Sequence, residues 1–283
     1  MNNSESIGKV ILVGAGPGDP DLITIKAVRA LQQAEVVLVD RLVSEEIIKL
    51  YVPADAEVVY VGKQCRRGPS TPQPTINELL VQYAESGKRV VRLKGGDVSV
   101  FSNILDELLT LTSHNIPYEI IPGVTAALGA AAYAGIPLTA RGYSTAVRFL
   151  TFYKSDIITH QYWKELAQTT DTLVFYMSSD TLGDTVDLLI RHHIAEDRML
   201  AIVEQATTPL QNVIITNVHD YASKYKEYTF CSPTLVIIGN VVSLHERFRW
   251  LTNSDSREHY FSTNKAGKYL VNKENAHLAH DNK

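Results

Sequence analysis

Short apolar runs alternate with amphipathic stretches along the first half of the chain. The runs are rich in β-branched residues and end in turn residues, which predicts buried strands. They cover residues 9–14, 35–39, 57–61, 89–93 and 118–121. The helical pattern between them is clearest over 75–86, where apolar residues recur at i, i+3, i+4 and i+7. Strands and helices in this alternation predict βαβ units and a mostly parallel sheet.

The pattern changes after the segment 135–143, whose glycine and proline residues predict a hinge. The second half contains five further strand-like runs, at 147–152, 172–177, 200–204, 212–216 and 234–238. We therefore predict an α/β fold with an N-terminal domain over 1–146 and a smaller C-terminal domain of mixed sheet over 147–252. From residue 253 to 283 the chain is polar and aperiodic, and we expect a poorly ordered tail.

Composition and charge argue against several classes of partner and of site. The formal net charge of −4 argues against a nucleic-acid partner or an anionic membrane surface. The apolar stretch 120–140 contains two prolines and many small residues, which favours a helix packed inside a protein over a membrane span. The two cysteines, Cys65 and Cys231, lack metal-ligand spacing and predict free thiols in a reducing cytoplasm. The adjacent His192 and His193 cannot share a helix face, so no metal site is predicted.

Three glycine-bearing loops follow predicted strands. They are Gly14–Pro20 (GAGPGDP), Lys94–Asp97 (KGGD) and Ile121–Ala126 (IPGVTA). Glycine lets backbone approach a ligand closely, and ligands of open α/β sheets bind beyond the carboxyl ends of strands. Convergence of the three loops would build a ligand site, although each loop alone is also compatible with an ordinary turn, with Asp97 as a helix cap.

The first loop and Asp40 together resemble a dinucleotide-binding arrangement, with Asp40 placed like a ribose-binding acid. Two residues oppose that interpretation. Asp19 occupies the position where the GxGxxG pattern needs glycine, and a carboxylate there would repel phosphate. Pro17 removes an N–H donor from the loop. The loop therefore favours a ligand without phosphates.

Taken together, these stretches resemble the tetrapyrrole methylase family and, within it, the uroporphyrinogen-III C-methyltransferases. The resembling segments run in family order from about Gly8 to Trp250. They are VGAGPGDPDLIT, VVLVDRLVS, VVYVGK, GKRVVRLKGGD, IPGVTAALGAAAYAGIPLTAR, DTLVFYM, VEQATTP and SPTLVIIGNVV. The resemblance implies a two-domain fold with a ligand cleft between the domains, a homodimer, and S-adenosylmethionine as methyl donor.

The resemblance also implies roles for individual residues. Asp40 would accept a proton and Lys63 would donate one, while Arg41 and Arg141 would bind the substrate's carboxylates. The implied cofactor contacts are Pro17, Gly95, Gly96, Asp97, Val100, Thr125, Ala126, Met177 and Ala206. Methylation of a pyrrole carbon needs a proton to leave and another to arrive, so an acid/base pair is expected. A helix N-cap or a salt bridge to Arg41 for Asp40, and a solvated surface position for Lys63, remain the alternatives.

Two segments depart from the family pattern. The family usually continues GGD with PFIFGRGGEE, whereas residues 98–107 here read VSVFSNILDE, without the arginine and three glycines. Ala206 replaces the usual glycine of its segment. These departures put one substrate contact and the fit to adenosine in doubt.

The expected activity is methylation of uroporphyrinogen III at two positions to give precorrin-2, for sirohaem or cobalamin. A methyltransferase acting on a later corrin intermediate is the alternative on the same fold. An NAD(P)-dependent dehydrogenase is disfavoured by Asp19 and Pro17, and a non-enzymatic binding module by the presence of both Asp40 and Lys63.

Overall fold

The computed structural model describes residues 7–61, 71–152 and 159–261. Contacts between residues divide the chain into two compact units. Unit 1 contains residues 7–15 and 23–123, and unit 2 contains Gly16–Leu22 and Val124–Tyr260. The chain thus passes from one unit to the other within the first glycine-bearing loop and again after Gly123.

Unit 1 contains a five-stranded, wholly parallel sheet. Its strands are β1 (Val10–Gly14), β2 (Val36–Val39), β3 (Glu57–Tyr60), β4 (Val90–Lys94) and β5 (Tyr118–Ile121). They are arranged in the order β3-β2-β4-β1-β5, and Val10 of the central strand pairs with Val90 and Tyr118. The predicted parallel sheet is therefore confirmed, and its carboxyl ends lie along one edge.

Four helices cover this sheet: α1 (Ile25–Leu31), α2 (Glu45–Tyr51), α3 (Gln73–Glu85) and α4 (Ile104–Ser113). Successive strand residues point to opposite faces. Val13 accordingly belongs to a buried cluster with residues of α1 and α2, and Leu12 to one with residues of α3 and α4. Thr24 and Ser44 cap α1 and α2 by accepting hydrogen bonds from backbone amides.

Unit 2 contains a mixed sheet built from β6 (Val147–Thr151), β7 (Thr172–Tyr176), β8 (Met199–Glu204), β9 (Asn212–Asn217) and β10 (Thr234–Ile238). The order is β6-β7-β10-β8-β9, in which β6 and β7 are parallel and the other neighbours antiparallel. The mixed order matches the prediction. Residues of β7, β8 and β10 form a buried cluster with Trp163 and Leu189.

The helices of unit 2 are α5 (Ala126–Tyr133), α6 (His160–Gln168), α7 (Leu182–Arg191), α8 (Tyr221–Tyr225) and α9 (His245–Phe248). Thr159 caps α6 by accepting from the Tyr162 amide. No helix in the described ranges combines the length and the apolar character that crossing a membrane requires.

The change of sheet falls between β5 and β6, where the domain limit at residues 146 and 147 was predicted. By contacts, however, α5 and the segment leading to β6 group with the second sheet. The hydroxyl of Tyr176, at the end of β7, accepts a hydrogen bond from the Ala127 amide, which helps to explain this grouping. The limits of the two domains stay a prediction.

The expected disorder from residue 253 onward does not hold for residues 253–260. Asn253 exchanges two hydrogen bonds of 2.9 Å with the backbone of Val213, and the Ser254 amide donates to the Gln211 carbonyl. Polar side chains hold this segment, so the hydrophobic pattern gave no sign of its order. Residues beyond Phe261 lie outside the described part of the chain.

Candidate functional site

The ends of three strands of unit 1 meet backbone to backbone. A Cβ placed on Gly14 would lie 2.6 Å from the Gly123 nitrogen and 2.7 Å from the Gly96 oxygen. Gly123 has the same neighbours, Gly96 and Gly14. Since real Cβ atoms do not approach so closely, only glycine permits this junction of β1, β4 and β5. We call Gly14, Gly96 and Gly123 the glycine junction.

Asp97 ties the junction together. Its Oδ2 accepts a 2.8 Å hydrogen bond from the Gly123 amide, and its Oδ1 accepts from the amide and hydroxyl of Ser99. Burial opposes ionisation, but the hydrogen bonds from Ser99 and Gly123 outweigh it and hold the pKa of Asp97 below its usual value. A carboxylate therefore stays charged beside the three strand ends.

Asp40, the predicted proton acceptor, lies at the end of β2 with its side chain 29% exposed. Its Oδ1 accepts a 2.6 Å hydrogen bond from Nη2 of Arg92. The remaining guanidinium nitrogens of Arg92 donate to Glu107 and to the carbonyls of Leu38 and Leu93. Asp40 thus forms a salt bridge, and its partner is a fixed, buried arginine of β4.

Glu107 completes a buried charge cluster that the sequence analysis did not foresee. Its side chain is fully buried, and its carboxylate accepts from Arg92 at 2.9 Å and from Lys94 Nζ at 2.9 Å. Burial and repulsion from Arg92 lower the pKa of Lys94. Burial also opposes the charge on Arg92, but Asp40 and Glu107 outweigh it and raise its pKa. Two anions therefore balance two cations.

In unit 2 the loop Gly16–Leu22 rests on the segment that follows β8. The Asp19 amide donates to Thr207 Oγ1 at 3.1 Å, and the Thr207 amide donates to Gln211 Oε1 at 2.8 Å. Gln211 donates to the Tyr133 carbonyl, and the Tyr133 hydroxyl donates to Asp19 Oδ2 at 2.5 Å. These four residues close a ring of hydrogen bonds, and the predicted contact residue Ala206 directly precedes Thr207.

The Asp19 carboxylate contributes to a raised pKa of its hydrogen-bond partner, Tyr133. Burial raises the pKa of the Tyr133 phenol, and the hydrogen bond to Asp19 adds to the effect, bringing it to about 12. The side chain of Pro17 packs under Gly129 of α5, so closely that a Cβ on Gly129 would meet Pro17 Cγ at 2.6 Å. Pro17 and Asp19 are therefore both part of a fixed loop.

The N-terminus of α5 carries two more predicted contact residues, Thr125 and Ala126. Thr125 Oγ1 shares a 2.7 Å hydrogen bond with the Tyr176 hydroxyl, which also accepts from the Ala127 amide at 3.0 Å. Met177 follows at the end of β7, 60% exposed and with a φ of 53°. Tyr176 was not predicted, and its position directly before Met177 was the available signal.

The departing segment 98–107 contains two residues with left-handed backbone. Phe101 and Asn103 have φ values of 51° and 55°, in the left-handed region where glycine is favoured. Asn103 precedes α4 and donates a 3.0 Å hydrogen bond to Asp106, while the Phe101 side chain is exposed. Neither residue stands where the family has glycine, since those positions are Ser102, Ile104 and Leu105 here, and Asn103 takes the place of the family's arginine.

The predicted residues divide between the units. Unit 1 holds Gly95, Gly96, Asp97 and Val100 with Asp40 and Arg41, and unit 2 holds Pro17, Thr125, Ala126, Met177 and Ala206 with Arg141. Arg41 is half-buried and Arg141 is exposed. Lys63 lies outside the described residues, as does the basic cluster of Arg66 and Arg67. The predicted site residues therefore fall into two sets, one in each unit.

Comparison with known proteins identifies the fold. Residues 9–222 match the family model of Tetrapyrrole (Corrin/Porphyrin) Methylases. The chain belongs to this family. Among the relatives of this methylase, a siroheme synthase of Acinetobacter baylyi is 50% identical over 244 residues, which are 86% of the chain and 53% of that protein. The methylase spans about half the length of the curated relatives it matches.

Solved structures agree with the family assignment. The uroporphyrin-III C-methyl transferase of Thermus thermophilus, complexed with S-adenosylhomocysteine, is 35% identical, with a TM-score of 0.70 over 84% of this methylase and all of that chain. A cobalt precorrin-4 methyltransferase is 27% identical, with a TM-score of 0.73 over 86% of this methylase and 98% of that chain. The two-sheet α/β architecture is therefore that of tetrapyrrole methylases.

Proposed function

We propose that this methylase transfers two methyl groups from S-adenosylmethionine to carbon atoms of uroporphyrinogen III, giving precorrin-2. The observation that carries the proposal is the charge of the glycine-bearing loops. Asp97 stays ionised beside the glycine junction, and Asp19 supplies a carboxylate in the other loop. Such loops favour a cationic ligand without phosphates.

The residues present fit S-adenosylmethionine. The sulfonium and amino groups are cations, and both are favoured near a carboxylate. Lys94, the first residue of the second loop, is buried and bound to Glu107, so it adds no phosphate site there. Gly95, Gly96, Asp97 and Val100 would hold the methyl donor from unit 1. From unit 2, Pro17, Thr125, Ala126, Met177 and Ala206 would hold it.

The mechanism assigns Asp40 the removal of a proton. S-adenosylmethionine supplies, when bound, an electrophilic methyl group. The site would have to hold the electron-rich pyrrole carbon of the substrate in line with that methyl group, so positioning supplies much of the rate. Arg92 holds Oδ1 of Asp40 and is itself fixed by Glu107, which leaves Oδ2 to take the proton lost from the methylated ring. Lys63 stays the proposed proton donor.

Arginines of both units are proposed to bind the substrate's eight carboxylates. Guanidinium groups bind carboxylates in bidentate fashion. Arg41 follows Asp40 directly, and Arg141 lies in the segment before β6. Arg148 of β6 forms a 2.6 Å ion pair with Asp171, which makes it less suited to this role. A homodimer in the cytoplasm, with its product passed to sirohaem or cobalamin synthesis, completes the proposal.

The alternative substrate is a later corrin intermediate. The likeness to a cobalt precorrin-4 methyltransferase and the loss of the arginine from segment 98–107 both favour it. The two substrates differ in the number of methyl groups the enzyme adds and in the ring that accepts them, so the product's mass separates them.

The test is incubation of the full chain with S-adenosylmethionine and enzymatically made uroporphyrinogen III. We expect a product heavier by two methyl groups. Asp40→Asn should lower kcat roughly 100-fold or more, while affinity for S-adenosylhomocysteine stays unchanged. Asp55→Asn, which alters an exposed carboxylate of unit 1, is the matched control and should match the wild type. Tight binding of NAD without binding of S-adenosylhomocysteine would overturn the proposal.

A further inference from the structure

The C-terminal strap, residues Asn253–Tyr260, lies along one segment of unit 2. That segment, Gln205–Gln211, connects β8 to β9, and we call it the 205–211 loop. The Ser254 amide donates to the Gln211 carbonyl at 2.9 Å, and Asn253 exchanges two bonds with Val213 just beyond the loop. The strap thus fixes the end of the loop where β9 begins.

Gln205 fixes the other end. Its side chain is buried, its Nε2 donates to the Glu258 carbonyl at 2.9 Å, and its Oε1 accepts from the Tyr260 amide at 2.7 Å. The backbone of Gln205 has a φ of 47°, a left-handed conformation that a non-glycine residue adopts only when its surroundings impose it. The two bonds to the strap help to impose it.

The strap also supplies the counter-charge for Glu204, the last residue of β8. The Glu204 carboxylate is 1% exposed and accepts from the Cys231 amide at 2.5 Å and from Asn212 at 2.8 Å. Arg257 of the strap donates to it at 3.2 Å and to the Thr229 carbonyl at 2.5 Å. A buried carboxylate therefore depends on the strap for its cation.

The 205–211 loop carries Ala206, a proposed contact of the methyl donor, between two left-handed residues, Gln205 and Thr207. The Thr207 hydroxyl oxygen in turn accepts a hydrogen bond from the Asp19 amide of the first glycine-bearing loop. A shift of the 205–211 loop would therefore move two groups of proposed cofactor contacts together.

We propose that the strap sets the affinity for the methyl donor by fixing the 205–211 loop, with Gln205 and Arg257 as positioning residues. The inference rests on the proposed function, because Ala206 matters only if this site binds the donor. Neither residue touches the reacting atoms. Their loss should weaken donor binding while the turnover of bound donor and substrate stays unchanged.

The experiment compares Gln205→Ala and Arg257→Ala with the wild type in the full chain. We expect affinity for S-adenosylhomocysteine, measured by calorimetry, to fall roughly tenfold, equivalent to about 1.4 kcal/mol. The KM for S-adenosylmethionine should rise while kcat at saturation stays constant. Hydrogen exchange at the amides of the 205–211 loop should accelerate. Arg257→Lys, which keeps the cation, should restore much of the affinity.

Two controls separate positioning from stability. Asp255→Ala alters an exposed strap residue and should leave all four measurements unchanged. Leu189→Ala opens a cavity in the core of unit 2 and should lower the melting temperature without weakening S-adenosylhomocysteine binding.

The outcomes are distinguishable. If the wild type binds S-adenosylhomocysteine and the two strap variants bind it equally well, the strap proposal is wrong. Equal weakening by Leu189→Ala would also overturn it. A wild-type chain that does not bind S-adenosylhomocysteine would instead overturn the proposed function, while faster exchange in the variants would still report that the strap orders the loop.

Discussion

The two units hold their loops in place by different chemistry. In unit 1 the ends of β2 and β4 are linked by full charges, with Glu107 between Arg92 and Lys94 and with Asp40 on the same arginine. In unit 2 the corresponding links are mostly neutral amides and hydroxyls, such as those of Tyr176 and Gln205. The contrast follows from the two kinds of sheet.

A parallel strand is buried on both faces, so a polar side chain in it needs a partner from a covering helix. Arg92 and Lys94 are two residues apart in β4 and therefore point to the same face, where Glu107 of α4 meets both. In unit 2 the loop between the antiparallel strands β8 and β9 is held by hydrogen bonds of neutral side chains, among them those of Gln205 and Thr207. The polar contacts of unit 1 are a few buried ion pairs, whereas those of unit 2 are spread over several neutral hydrogen bonds.

The largest expected effect is that of removing the central charge of unit 1. Glu107→Gln leaves Arg92 and Lys94 buried without their shared anion, and should lower the free energy of unfolding by about 3–5 kcal/mol. Chemical denaturation would measure it. The matched change in unit 2 is Glu204→Gln, whose partner Arg257 is 49% exposed and can turn to solvent. We expect about 1–2 kcal/mol there.

Equal losses in the two variants would contradict the comparison, because they would mean that exposure of the cation does not matter. A second readout for Glu107→Gln is the catalytic rate. Arg92 would lose the group that fixes it and would hold Asp40 less firmly, so kcat should fall with little change in affinity for S-adenosylhomocysteine.

The next effect in size tests the glycine junction. Gly123→Ala places a methyl group against the Gly96 carbonyl and the Gly14 backbone, and should cost about 2–3 kcal/mol through overpacking. The control is Gly183→Ala in α7 of unit 2, where a Cβ has no neighbour within 4 Å. Alanine favours helix over glycine, so this variant should gain about 0.5–1 kcal/mol. A tolerated Gly123→Ala would remove the junction as a constraint.

Much of the fold was predictable because the strands of both sheets have simple apolar patterns. The strand at 89–93 was recognised from its valines and leucine despite two arginines, and the helix at 75–86 from its period. The segment 253–260 was missed for the opposite reason, since Asn253 and Arg257 order it through hydrogen bonds that no periodicity reports.

The site was predictable where glycine and acidic residues follow strands, as at Gly96 and Asp97. Resemblance, and not spacing, supplied Asp40 as the proton acceptor, and nothing in the pattern pointed to Arg92 as its partner. The signal was present, because two basic residues at alternate positions of a buried strand require an anion. Which acid provides it depends on how α4 packs, and local sequence does not report that packing.

The smallest expected effect is that of removing one hydroxyl group from each unit. The two losses of stability are compared as the pH is lowered. Ser99→Ala removes a donor from ionised Asp97, and Tyr176→Phe removes the hydroxyl that joins Thr125 and the Ala127 amide. At pH 7 each should cost about 1–2 kcal/mol. Because the folded pKa of Asp97 is depressed, the stability it contributes is present above the unfolded value and is lost as pH falls through the folded value.

The cost of Ser99→Ala should therefore shrink as the pH is lowered below about 4, since protonated Asp97 gains little from the hydroxyl. The cost of Tyr176→Phe should stay constant over the same range, because a phenol, a threonine hydroxyl and an amide carry no charge in acid. Urea unfolding at pH 3.5, 4.5 and 7, chosen to span that boundary at about 4, would compare the two. A constant cost for Ser99→Ala would mean that Asp97 is not held ionised, and the charge that favours a cationic ligand in unit 1 would be lost with it.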